Sequence, residues 1–331
     1  MQQGILSTVG HTPLIQLVRL LNDAKFNLFA KLESFNPGGS IKDRSALRII
    51  QTALEEGAIG LDSTIVESSS GNMGIGLALA CSYLGLRFIC VVDARTTAQN
   101  IKILETYGAE IEFVSTPDPL TGEFLSARIQ RVKSLLSEIK NSFWPDQYSN
   151  IYNARAHHQT MHEIVTQLNG EVNYLFCSTS TCGTLRGCVE YTRLHNLPVN
   201  IIAVDAIGSV IFGDQPGRRL IPGHGAAIKP NLYHDGLCER CVHVSDIECV
   251  INCWQLVKRE AILAGGSSGG ALAAVKRVKD EIPDGANCVV IFPDRGERYL
   301  DTIYSKSWVR EHFGEVTLEI ESAAEELSVS R

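Results

Sequence analysis

With 331 residues, 44% of them hydrophobic and 20% charged, the chain has the composition of a soluble globular protein, and its length leaves room for two domains. A formal net charge of −7, from 30 Lys and Arg against 37 Asp and Glu, argues against a general nucleic-acid or acidic-membrane binder. Every apolar run is cut by Gly, Ser or charge before it reaches membrane-spanning length. The opening Met1-Gln2-Gln3-Gly4 has no basic-then-apolar signal pattern, so the ten cysteines suggest reduced thiols in a cytoplasmic protein.

Residues 8–14 read as a turn feeding a short apolar stretch. The apolar run 26–32 reads as a strand leading into Asn36-Pro37-Gly38-Gly39, which forces a sharp turn. Ser40 is then a good N-cap, and Ile41, Ala46, Leu47, Ile49, Ile50, Ala53 and Leu54 recur at helical spacing. Lys42 therefore falls in the first turn of a helix. The positive helix end disfavours a charged ammonium there, which suits a neutral amine nucleophile; the plain alternative is a surface lysine beside a turn.

A strand at 63–67 runs into Ser68-Ser69-Ser70-Gly71-Asn72-Met73-Gly74 and a helix of small apolar residues to 84. Strands at 87–93 and 109–114 flank a helix at 98–107. A loop over 117–122 precedes a long helix, 124–140, with Arg128 in its early turns. Residues 142–154, polar and aromatic, read as a crossing between domains. A helix covers 159–168, and His157-His158 reads as a surface pair at its start. The strand 174–177 enters Ser178-Thr179-Ser180-Thr181-Cys182-Gly183-Thr184 and a helix from 185. A strand at 200–206 is followed by a Gly- and Pro-rich stretch, 208–230, of the kind that forms an ordered functional loop. A strand at 242–244 and a helix from 247 into the 254–264 stretch lead to Gly265-Gly266-Ser267-Ser268-Gly269-Gly270, which opens another small-residue helix. The strand 288–292 ends in Pro293-Asp294-Arg295-Gly296-Glu297-Arg298-Tyr299-Leu300, and an acidic tail follows Gly314. The alternation predicts βαβ units and a mainly parallel α/β fold.

Four Gly/Ser/Thr loops thus sit at strand ends or helix starts. In an open α/β sheet such ends converge on one crevice, where ligands bind. The set offers one amine (Lys42), one amide (Asn72), and many hydroxyls and backbone N–H groups, with no metal cluster and no Ser-His-Asp order. A lysine facing a phosphate cradle suggests a Schiff-base aldehyde cofactor that carries a phosphate, pyridoxal 5'-phosphate. A nucleotide fold competes, but neither G-x-G-x-x-G in the first βαβ unit nor G-x-x-x-x-G-K-[ST] occurs.

Four motifs in order, Asn36 to Arg44, Ser69 to Gly74, Gly265 to Gly269 and Pro293 to Leu300, resemble the fold-type II pyridoxal-phosphate β-replacement enzymes, the cysteine synthase and cystathionine β-synthase family. The resemblance spans roughly residues 8–308. It implies the tryptophan synthase β-like fold: two open, mainly parallel α/β domains with the cofactor between them. The implied division is a large domain of 1–35 plus 147–331 and a smaller, mobile domain of 36–146 that closes on substrate. By the same resemblance Lys42 carries the cofactor as a Schiff base. Asn72 meets its ring oxygen, Ser180, Thr181, Cys182, Gly183 and Thr184 hold its phosphate, and Ser267 faces its pyridine nitrogen. Ser69, Ser70, Gly71 and Met73 take the substrate carboxylate. A neutral serine at that nitrogen leaves it unprotonated, a weaker electron sink that suits β-elimination over transamination. A homodimer is also implied.

Two glycines of the sulfhydrylase phosphate loop, Gly-Thr-Gly-Gly-Thr, are replaced here by Ser180 and Cys182, which predicts a narrower, more polar site with Cys182 as the one reactive thiol. The region 205–223, with Arg219, and Arg295 resemble instead the SbnA-type N-(2-amino-2-carboxyethyl)-L-glutamate synthase branch. That branch joins O-phospho-L-serine to L-glutamate, a step toward L-2,3-diaminopropionate in siderophore synthesis, and uses positions matching Arg128, Tyr148 and Ser180 around its substrate. A phosphate leaving group and a dicarboxylate acceptor need cations, which Arg128, Arg218 and Arg219 could supply. Solvated helix or loop charges, and a core ring for Tyr148, are the plain alternatives. Cysteine synthesis from O-phosphoserine or O-acetylserine with sulfide is the competing activity, and a cofactor-binding sensor without turnover the competing class. Cys238-x-x-Cys241-x-His243, with Cys249 and Cys253 behind, has zinc-like spacing, but the strand and helix that carry these residues need not converge, and buried free thiols are the expectation.

Overall fold

The computed structural model describes residues 3–119, 122 and 124–314. In chain order its elements are β1 (Leu14–Gln16), β2 (Asn27–Leu32), α1 (Lys42–Glu55), β3 (Thr64–Ser68), α2 (Asn72–Leu84), β4 (Arg87–Asp93), α3 (Ala98–Thr106), β5 (Glu110–Val114) and α4 (Phe124–Glu138). Then come β6 (Ser142–Phe143), α5 (Ile151–Gln167), β7 (Tyr174–Ser178), α6 (Gly183–Leu194), β8 (Asn200–Ala206), β9 (Arg240–Val244), α7 (Asp246–Glu260), α8 (Gly266–Val278), β10 (Asn287–Phe292) and α9 (Lys306–Phe313). Part of the loop expected at 117–122 and the acidic tail past Gly314 lie outside the described residues. No described helix is long and apolar enough to cross a membrane.

The strands form two sheets. One has the order β1-β2-β10-β7-β8-β9, and the other β5-β4-β3-β6. All pairings are parallel except β1 on β2. The fold is therefore the mainly parallel α/β architecture that the alternating pattern predicts. One face of the larger sheet packs under α7 and α8, where Phe176, Val204, Val290 and Phe292 meet Leu256 and Leu272; the other packs Leu175, Val289 and Ile291 against Met161 of α5 and Leu185 of α6. The smaller sheet buries Ile65, Phe88 and Val92 against Ile49 and Ile50 of α1 and Leu77 of α2. Small residues set the helix spacing: a Cβ at Gly269 of α8 would lie 2.0 Å from the Cys249 carbonyl oxygen of α7.

The Gly corner is held from both sides. Gly39 takes φ +85°, which suits glycine, and a Cβ there would meet the Arg295 and Arg298 side chains. Ser40 pairs with Asp294 in an isolated bridge, and the Ile41 N–H donates to the Pro293 carbonyl at 2.8 Å. Ser40 Oγ accepts from the Lys42 N–H at 3.2 Å, so the expected cap acts two residues before the helix proper.

Just past the corner lies a buried charge cluster. Arg44 reaches Glu33 and Glu163 at 2.7 Å each, and Lys31 reaches Glu163 at 2.8 Å. Thr12 and Asn36 donate to the Glu33 carboxylate. This cluster joins β2, α1 and α5. Burial alone would raise the Glu163 carboxyl, but Arg44 and Lys31 outweigh it and hold the group well below the carboxylate range.

Helix α5 starts earlier than the pattern suggests. Asn150 accepts from the Tyr152 N–H at 3.0 Å and opens the helix at Ile151, within the stretch read as a crossing. Its first turns are polar because they face a buried polar seam: Asn153 and His157 are fully buried.

Candidate active site

A cavity of about 640 Å3 lies at the C-terminal strand ends of both sheets. Lys42, Ser69, Ser70, Gly71, Asn72, Met73, Arg128, Tyr148, Ser180, Thr181, Cys182, Gly183, Thr184, Arg219 and Ser267 all line it. The loops that the sequence singles out therefore meet around one space.

Lys42 is the first residue of α1. Desolvation by the enclosing walls lowers its amine pKa, opposed by Cys177, Cys182 and Asp294. Opposite it, β7 delivers the chain through 178–182 into the start of α6, whose first N–H groups have no intrahelical partner. Ser178 Oγ donates to the Ser267 carbonyl at 2.7 Å and ties this loop to the start of α8. Helix α5 braces it from behind. Asn153 Nδ2 donates to Thr181 Oγ1 at 3.1 Å, and His157 Nε2 lies 3.2 Å from Thr184 Oγ1 and 3.1 Å from Ser45 Oγ. Burial, then Lys42 and Arg44, push His157 well below its usual pKa, so it is a neutral bridge.

Loop 68–73 uses part of its own chemistry to hold its shape. Ser69 Oγ accepts from the Gly74 N–H at 2.9 Å, which caps the first turn of α2. A Cβ added to Gly71 would meet nothing within 4 Å, so a side chain there would enter the open space.

Cationic groups stand on the far wall. Arg128 Nε lies 3.0 Å from Asp93 Oδ2, but off line, so its buried Nε and Nη1 complete no hydrogen bond. Arg219 Nη1 donates to the His224 carbonyl at 3.3 Å, while its buried Nε has no partner. Arg95 also lines the cavity. Burial pushes the Tyr148 hydroxyl up, so the phenol stays protonated.

Several expectations are overturned. Arg218 is exposed and does not line the cavity. Arg295, read only as part of its motif, is exposed and donates to the Ser34 carbonyl at 2.8 Å. Cys182 is not the reactive thiol, because it is 2% exposed and burial raises its pKa to about 12. Its backbone takes φ +64°, so this cysteine sits in the left-handed region that glycine enters freely. His157 is buried rather than a surface pair with His158. The cysteines read as free thiols are free: Cys249 and Cys253 are buried on α7, Cys238 is half-buried just before β9 and Cys241 half-buried on it; among the described residues no three His, Cys, Asp or Glu side chains are placed to hold a metal.

Sequence reading missed Asp294, Arg298 and Tyr299 as cavity residues. Asn72 Nδ2 donates to Asp294 Oδ2 at 2.7 Å, Tyr299 donates to the same oxygen, and Arg298 donates to Asn72 Oδ1. Their motif was on view, but no spacing rule points its side chains at a residue 222 positions away.

A desolvated lysine amine at a helix start, facing a hydroxyl-rich loop and a second helix N-terminus, defines a Schiff-base enzyme whose aldehyde cofactor carries a phosphate. The chain matches the pyridoxal-phosphate dependent enzyme family over residues 5–294 and belongs to it; it is a pyridoxal-phosphate-dependent β-replacement enzyme. Similar solved structures include an O-acetylserine-dependent cystathionine β-synthase from Helicobacter pylori, 29% identical, covering 92% of this chain and 99% of its own, with a TM-score of 0.84. An O-acetylserine sulfhydrylase isoform 3 from Entamoeba histolytica is 29% identical over 92% of each chain, TM-score 0.85. An O-ureido-L-serine synthase is 27% identical over 95% of this chain and 96% of its own, TM-score 0.84. The site fits the cofactor: the amine is desolvated, the open space at Gly71 is kept clear, and hydroxyls with helix-start N–H groups face the place a phosphate would take.

Proposed function

We propose that the enzyme joins O-phospho-L-serine to L-glutamate, giving N-(2-amino-2-carboxyethyl)-L-glutamate and phosphate. The observation that carries this reading is the presence of two guanidinium side chains, Arg128 and Arg219, in the cavity wall, neither fully hydrogen-bonded within the protein. Guanidinium groups suit bidentate contacts with carboxylates and phosphates. A phosphate leaving group and a dicarboxylate acceptor would use such contacts, and hydrosulfide would not.

Pyridoxal phosphate supplies the electron sink that lets a bond at the amino-acid α-carbon break. In this reading Ser180, Thr181, Cys182, Gly183 and Thr184 hold its phosphate, Ser267 faces its ring nitrogen and Asn72 its ring oxygen. Ser70, with the N–H groups of the 69–73 loop, takes the substrate carboxylate, and Ser69 shapes that loop. Lys42 Nζ, whose pKa burial lowers, takes the α-proton of the bound phosphoserine and later returns it. Arg128 and Arg219 draw the departing phosphate and then orient the glutamate carboxylates, while Tyr148 and Ser180 pack beside them. The C–O bond to phosphate breaks, a C–N bond to glutamate forms, and the amine proton leaves with the phosphate. Residues 36–146, which include the smaller sheet, make up the unit that closes over the cavity, and two copies form a homodimer.

The test is direct. Purified holoenzyme is given O-phosphoserine with glutamate or with sulfide, and free phosphate and product mass are read. Condensation with glutamate supports the proposal; cysteine formation from sulfide with no glutamate product overturns it. The sulfide reaction is the second reading, because a sulfhydrylase is among the similar structures. Lys42→Ala removes the visible cofactor band and turnover in either case.

A further inference from the structure

We propose that Asp294 is a positioning residue: with Tyr299 and Arg298 it locks the Asn72 amide so that one N–H is held toward the ring oxygen of the cofactor. This rests on the reading that Asn72 meets that oxygen.

The amide has no freedom to turn over. A guanidinium only donates, so the Arg298 contact fixes Oδ1. Asp294 Oδ2 then accepts one Nδ2 hydrogen at 2.7 Å. The second Nδ2 hydrogen remains, on a residue that lines the cavity with Lys42. Arg298 also polarises the amide, which makes that remaining hydrogen a stronger donor.

The Asp294 carboxylate is itself specified. It is 3% exposed and takes the Tyr299 hydroxyl on the same oxygen that holds Asn72. Its other oxygen packs over Gly265, where a Cβ would come within 1.9 Å of it. Ser40 pairs with Asp294 two residues before Lys42, so the backbone that sets the amine also sets the clamp. Arg298 additionally donates to the Gly38 carbonyl of the same corner. Thus one side-chain group registers the start of α2 against the start of α1.

The charged oxygen of the bound cofactor is stabilised by a donor and its neutral, protonated form is not. Loosening the donor therefore shifts the cofactor from its long-wavelength band to its short-wavelength band. The experiment compares absorbance spectra of holoenzymes carrying Asp294→Ala, Tyr299→Phe, Asn72→Ala and the Asp294→Ala/Asn72→Ala double change. We expect Asn72→Ala to shift the band ratio by roughly tenfold, Asp294→Ala to shift it the same way, and Tyr299→Phe to do so by less. The double variant should match Asn72→Ala alone, because a residue acting through another adds nothing once that other is gone. Additive shifts, or a wild-type ratio in Asp294→Ala beside a shifted Asn72→Ala, overturn the positioning role and leave the Asn72 reading standing. A wild-type ratio in Asn72→Ala overturns both. Should Asp294→Ala fail to load cofactor, Tyr299→Phe alone and combined with Asn72→Ala gives the same comparison.

Discussion

Arg44 is buried and Arg128 nearly so, with 11% of its side chain exposed, yet they are treated in opposite ways. Arg44 is enclosed by Glu33 and Glu163, with each guanidinium nitrogen at 2.7 or 2.8 Å from a carboxylate oxygen. Arg128 has one carboxylate off line and two buried nitrogens with no hydrogen bond. The first arrangement is complete in the protein alone and joins three elements. The second is incomplete within the protein. Satisfaction of donors, more than charge, separates the two, and under the proposed function Arg128 is the one that meets substrate.

The largest break in this comparison is Arg44→Met, which leaves two buried carboxylates without their main partner. Urea unfolding should show a loss of about 3–5 kcal/mol; an unchanged midpoint would show the cluster to be ornamental. Acid probes the same cluster without mutation. Glu163 has a folded pKa held below its ordinary 4.5, so its contribution is present above that value and is lost as pH falls below it. The urea midpoint should fall with acid there, and Arg44→Met should flatten the slope.

Arg128→Met tests the other half. Its expected signature is a rise in KM for the acidic substrates of roughly tenfold to a hundredfold, with a smaller loss of unfolding stability than Arg44→Met, because only Asp93 loses a partner. A stability loss like that of Arg44→Met would erase the distinction. The smallest effect belongs to a third kind of arginine. Arg87 meets Glu110 at 2.7 Å with both side chains half exposed, so Arg87→Ala should cost under about 1 kcal/mol by the same unfolding measurement.

Local features were legible in the sequence and tertiary ones were not. Lys42 could be placed because Pro37, Gly38 and Gly39 dictate a corner and the residues after it keep a helical period. The 68–74 and 178–184 loops follow from their small polar residues between strand and helix patterns. Arg218 was misplaced because a Gly- and Pro-rich stretch does not say on which side each side chain emerges. The early turns of α5 were hidden because Asn153 and His157 are polar residues satisfied by Ser45, Thr181 and Thr184 from other elements. The Arg44 cluster spans 119 positions to Glu163, and no local pattern carries that pairing.

The outer strand of the smaller sheet, β5, pairs only with β4 among the described strands. Its Glu110 and Glu112 are tethered by Arg87 and Arg131. A short, charge-guarded rim of this kind resists recruiting strands from neighbouring molecules. Crowded or concentrated solutions therefore have no ready template for fibre growth along that side.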